Sequence, residues 1–97
     1  MNGTYISDQF DADFIRQLDF LAEQIKQQYK INIWFVEILN RRWSYIAGIC
    51  DPDQLLPPLR IELKSNLGLV SNDLPDLPPE QQQDIINQIV NFIHQKL

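Results

Sequence analysis

A single cysteine, Cys50, and a single histidine, His94, are the whole of this sequence's thiol and imidazole chemistry. One thiol cannot close an internal disulfide, and one imidazole without cysteines nearby lacks the ligand spacing of a zinc site. Cys50 follows Ile46 and Ile49, so it reads as a small core residue; a reactive cysteine needs an electropositive, partly open setting. His94 lies near the end of an amphipathic segment, where it would complement a helix C-terminus. No run of about 18 apolar residues occurs, and "MNGTYISDQFDADF" has no basic stretch leading into an apolar one. The expectation is therefore a cytoplasmic protein with neither signal peptide nor membrane span. Three glycines, scattered, make no phosphate cradle.

Positive charge is also scarce, with a net charge of −5. From Met1 to Ile25, Arg16 stands alone against Asp8, Asp11, Asp13, Asp19 and Glu23, and after Ser65, Lys96 stands against Asp73, Asp76, Glu80 and Asp84. Basic residues concentrate between Lys26 and Arg42. A general nucleic-acid binder, which relies on a basic face to neutralise phosphates, is thereby disfavoured. Polarity is carried instead by amides, as in "EQIKQQY" and "EQQQDIINQIVNFIHQ", which cost less than charges to desolvate under a partner.

What is present is the material of one folded domain. A chain of 97 residues with 44% hydrophobic and 22% charged residues has room for a single core, so residues 1–97 are read as one domain. Phe10, Phe14, Leu18, Leu21, Ile25 and Tyr29 recur at helical spacing, with Asp8, Asp11 and Asp13 suited to the start of the helix and Lys26 and Lys30 to its end. Two strand-like runs follow, Ile31 to Leu39 and Trp43 to Cys50, joined by Asn40-Arg41-Arg42 closely enough to force antiparallel pairing. "DPDQLLPPL" interrupts regular structure through Pro52, Pro57 and Pro58. In "LRIELK", Leu59, Ile61 and Leu63 alternate with Arg60, Glu62 and Lys64, the pattern of a strand with one wet face. "SNLGLVSN" suggests a fourth short strand, weakened by Gly68. Pro79 and Glu80 suit the start of a last helix, whose apolar face holds Ile85, Ile89 and Ile93. The fold expected is α+β: an N-terminal helix, an antiparallel sheet of three to four strands and a C-terminal helix.

Candidate chemistry is thin. Asp51, Asp53 and Glu62 have the outer spacing of a calcium loop, but Leu55 and Leu56 replace an oxygen ligand and the glycine, so the match fails. Neither Ser44 nor Cys50 has a histidine or acid nearby to activate it. Asp8, Asp11 and Asp13 are explained by a helix start. We expect no catalytic residues, no metal and no cofactor.

The hairpin is the informative stretch, because both of its alternation phases are apolar. With Arg41-Arg42 as a two-residue turn, Trp34, Val36 and Ile38 share a face with Trp43, Tyr45, Ala47 and Ile49. The other face then holds Ile33, Phe35, Glu37 and Leu39 with Ser44, Ile46, Gly48 and Cys50. Asn-Arg-Arg is a weak turn signal, so a three-residue loop and another register stay open. Glu37 and Ser44 mark the second set as the outer face, leaving Ile33, Phe35, Leu39 and Ile46 as a contact patch. The alternatives are that one helix packs on each face or that the proline loop covers the patch. Arg41 and Arg42 at the tip would suit a carboxylate-bearing peptide.

The helix–three-strand–helix order resembles the double-stranded-RNA-binding domain in outline. That family carries a lysine-rich start to its final helix, where this chain reads "PPEQQQDI", so the function does not carry over. In size, amide-rich style and helix–sheet–helix order the whole chain resembles small cyanobacterial accessory proteins, among them assembly chaperones for carboxysomes and photosynthetic complexes. The resemblance implies binding without catalysis and transfers no functional residue. The expectation is a protein–protein interaction module, an assembly chaperone or adaptor that forms a homodimer and holds a short segment of a partner protein. A small regulator of an enzyme or toxin and an RNA-contacting domain are the alternatives.

Overall fold

The computed structural model describes residues 10–49 and 59–96. The elements in order are α1 (Ala12–Tyr29), β1 (Trp34–Leu39), β2 (Arg42–Gly48), β3 (Leu59–Glu62), β4 (Leu67–Ser71) and α2 (Pro79–Lys96), so the α+β order holds with the fourth strand present. Cys50, Asp8 and residues 51–58, expected as a proline-rich loop, lie outside the described residues. None of the described helices is long and apolar enough to cross a membrane.

Helix α1 starts where its charge pattern places it. The Asp11 carboxylate accepts the Phe14 N–H at 2.7 Å, satisfying one of the amides a first turn leaves free. Lys30 ends the helix in the left-handed region at φ 63°, donating its N–H to the Lys26 carbonyl. The buried face is Phe14, Leu18, Leu21, Ala22 and Ile25. In α2, Pro79 occupies the first position, where its missing N–H costs nothing, and Gln82 donates back to the Leu77 carbonyl at 2.7 Å. Phe14 stacks on Phe10 and on Phe92, and the Tyr29 hydroxyl donates to the Asp84 carboxylate, joining the two helices. That hydrogen bond holds the Tyr29 phenol above its ordinary value of 10.0.

The strands form one antiparallel sheet in the order β2-β1-β4-β3, which makes β1 an interior strand. Interior position explains why its side chains are apolar in both phases. On one face Ile33, Phe35, Ile46, Ala47, Leu67 and Leu69 join the helical residues in the main core. On the other, Trp34, Val36, Ile38 and Val70 form a second apolar cluster with Trp43 against it.

This arrangement reverses the expected faces. Phe35 is 0% exposed and Glu37 1%, and Ile33 and Ile46 are likewise buried, so three of the four apolar residues expected as a contact patch belong to the core. The reason lies in β4 and β3. Phe35 pairs with Leu69 and Glu37 with Leu67, while Ile61 pairs with Leu69, so the continuous aliphatic set across the sheet falls on the Phe35 side. The Val36 side contains Gly68 instead. Polar Glu37 and Ser44 would suit an outer face, yet Glu37 is accommodated: no buried side-chain nitrogen or oxygen among the described residues lacks a hydrogen-bond partner.

The hairpin register differs too. Leu39 pairs with Arg42, so the two-residue turn is Asn40-Arg41, with Asn40 at φ 57°, a conformation asparagine tolerates better than most residues. Farther along, Phe35 pairs with Ala47 but Val36 with Tyr45, which leaves Ile46 as a bulge. The bulge turns both Ile46 and Ala47 into the core, where strict alternation would separate them. Beyond it Gly48 takes φ 103°, and a Cβ there would stand 2.6 Å from the Trp34 Cα.

Candidate functional site

Of the expected contact residues, Leu39, Arg41 and Arg42 remain at the surface, gathered at the turn between β1 and β2. Leu39 is 41% exposed. The tight turn at Asn40 projects the two arginines from the end of the sheet. Neither has an ion pair or side-chain hydrogen bond among the described residues, where the ion pair formed is Arg16 with Asp13, within α1. Two adjacent exposed guanidiniums can each take a carboxylate through two parallel N–H donors.

A second turn lies beside them. Because β1 and β4 run antiparallel with Glu37 opposite Leu67, the end of β1 meets the start of β4. The connection from β3 to β4 is a single 3-10 turn, Lys64–Asn66, with Asn66 at φ 62°. Three residues ending in a left-handed one is a common hairpin loop. Between the two turns a shallow basin of about 440 Å³ is lined by Ile38, Leu39, Asn40, Glu62 and Asn66. Its rim is amide on both sides, Asn40 and Asn66, with Glu62 as its one acidic group. Asn66 and Glu62 were not legible as site residues from sequence, since only the pairing of β4 with β1 brings them to the hairpin.

Behind the hairpin, the Trp43 indole lies across the sheet. A Cβ on Gly68 would stand 2.7 Å from Trp43 Cζ3 and 2.8 Å from Val36 Cγ2, so this glycine is the recess that receives the ring. The Arg60 guanidinium sits 5.6 Å from the ring centroid, a cation–π contact reaching from β3. Trp43 is thus held in place between the Gly68 recess, Val36 and the Arg60 guanidinium.

His94 borders a cleft of about 230 Å³ with Glu62, Leu63, Lys64, Val90 and Ile93. Among the described residues no group of three or more histidine, cysteine, aspartate or glutamate side chains could hold a metal ion. Compared with protein-family models, with curated proteins and with solved structures, the chain matches none.

Proposed function

We propose that the protein is a non-catalytic interaction module, an assembly chaperone or adaptor of the cytoplasm, that holds a short carboxylate-bearing segment of a partner protein at the hairpin end of its sheet and acts as a homodimer. The observation that carries the reading is the pair Arg41 and Arg42, exposed and without an ion pair among the described residues, in a chain of net charge −5. Exposed Leu39 beside them supplies apolar contact, and Asn40 and Asn66 supply amide donors and acceptors around the basin. Most of the apolar hairpin is buried inside the fold, so it offers little surface for self-association. The sheet supports it instead, because it ends in two edge strands, β2 and β3.

The test uses two labelled peptides, one ending in glutamates with a free terminal carboxylate and one with glutamines and an amidated end. The acidic peptide binds in a fluorescence anisotropy titration and the neutral one does not. The double reversal R41E/R42E abolishes binding and leaves the thermal melt unchanged. Equal binding of both peptides, or binding untouched by the reversal, removes the hairpin end as the site. Binding of a single-stranded RNA oligomer with steep salt dependence would favour the nucleic-acid reading instead.

A further inference from the structure

Strand β3 is one edge of the sheet, and no described strand lies beyond it. The Leu63 N–H donates to the Leu67 carbonyl at 2.7 Å. Bonded and non-bonded pairs alternate along an antiparallel ladder. Ile61 with Leu69 and Leu59 with Ser71 are therefore bonded pairs, while Arg60, opposite Val70, and Glu62, opposite Gly68, turn their N–H and C=O groups outward. Those four main-chain groups form a template for another strand. The β2 edge is closed at its far end: the Gly48 N–H donates to the Asp19 carboxylate at 2.6 Å and the Gly48 carbonyl accepts from the Tyr45 hydroxyl at 2.8 Å. The Ile46 bulge further breaks its regularity.

The residues at the open edge read Leu59-Arg60-Ile61-Glu62-Leu63. Read against its own reverse, this segment is complementary: leucine meets leucine, arginine meets glutamate and isoleucine meets itself. We infer that a second copy of this chain pairs with β3 in antiparallel fashion about a two-fold axis at Ile61, setting Arg60 of each copy opposite Glu62 of the other and continuing the sheet to eight strands.

Three features agree on this register. The outward main-chain groups belong to Arg60 and Glu62, the residues that become bonded partners across the axis. The neighbouring registers that keep those groups paired place Arg60 opposite Arg60 or Glu62 opposite Glu62, and like charges directly opposite are unfavourable. On the helix face, Leu59 of the second copy comes opposite Leu63, beside the cleft of about 230 Å³ floored by Leu63, Val90 and Ile93. That volume is below the roughly 300–1,000 Å³ of pockets for whole small molecules and suits a single side chain. Leu59, Ile61 and Leu63 are only partly buried in the single chain, so each has apolar surface left to cover. Trp43 holds the Arg60 guanidinium on the opposite face, where Glu62 of the second copy also projects.

The inference rests on the self-associating reading and names its surface. Light scattering over a wide concentration range, with R60E, E62R and the swap R60E/E62R, tests it. The wild-type chain is expected to dimerise, and each single reversal to weaken the dimer roughly ten- to hundredfold, because two attractive cross-strand pairs become repulsive. The swap restores the dimer, and an equimolar mixture of R60E with E62R dimerises at concentrations where neither does alone. E62R removes no described hydrogen bond or ion pair from the free chain, so it reports on pairing even if R60E disturbs Trp43. A dimer that survives both reversals, or one that neither the swap nor the mixture restores, overturns the β3 register and leaves self-association to another surface. A wild-type protein that stays monomeric throughout overturns the self-association reading as well.

Discussion

Phe35 and Val36 are neighbours in the chain, 0% and 3% exposed, and belong to two different cores. Phe35 faces the two helices across a continuous floor of leucine, isoleucine and alanine. Val36 faces the other way, into a smaller cluster whose distinctive pieces are two indoles, a glycine recess and an arginine, with no described helix among its members. The first face is closed by secondary structure and the second by a side chain laid over the sheet. An interior strand thus consumes both phases of its alternation in stability, and the proposed contacts fall at the ends and edges of the sheet.

Substitutions on the two faces should separate them. The largest effect is expected for Phe35→Ala, which removes a fully buried ring from the main core and should cost about 3–5 kcal/mol in a denaturant melt. A cost below about 1 kcal/mol would return Phe35 to the surface. Next comes Gly68→Ala, where the added methyl meets Trp43 and Val36 and should cost about 1–3 kcal/mol through overpacking. Pairing it with Trp43→Ala should recover part of that loss, a coupling readable in a double-mutant cycle. Asp19→Ala, which leaves the Gly48 N–H without its carboxylate at the exposed end of β2, should cost roughly 1 kcal/mol, the size of an ordinary hydrogen bond.

The smallest effect is confined to alkaline pH. Because the bond to Asp84 raises the Tyr29 phenol above 10.0, the folded state favours the protonated form. Its contribution is full below about pH 10, the ordinary tyrosine range, and is lost as pH rises through the folded-state value. Tyr29→Phe should therefore flatten the alkaline limb of a stability–pH curve and remove one late-titrating tyrosine from the ultraviolet absorbance titration. An unchanged alkaline limb would mean the hydroxyl contributes nothing there.

Much of this fold is legible in the sequence for local reasons. The helix stripes, Asp11 at the start of α1, Pro79 at the start of α2 and the alternation in "LRIEL" each depend on neighbours along the chain. The choice of face was not local. Glu37 and Ser44 are polar, but Leu59, Ile61, Leu67 and Leu69 outweigh them once β4 and β3 are placed in register, and that register is a long-range fact. The Ile46 bulge likewise defeats strict alternation and has no mark in the sequence beyond the nearby Gly48. Gly68, read as a weakness in a strand, is the space Trp43 needs. At the candidate site the exposure of Arg41 and Arg42 was legible because residues at a turn stay exposed, Leu39 was expected as part of a sheet-face patch and is exposed at the strand end instead, and Asn66 and Glu62 arrive there only through strand order.

The interior position of β1 and the proposed contact at the sheet's edge are tested most directly by native-state amide exchange at two protein concentrations. The amides of Phe35, Val36 and Glu37 should exchange only through global unfolding at both. Those of Arg60 and Glu62, which point outward, should exchange quickly in dilute protein and slow markedly as concentration rises. Fast exchange at Phe35 through Glu37, or rates at Arg60 and Glu62 that ignore concentration, would contradict the account.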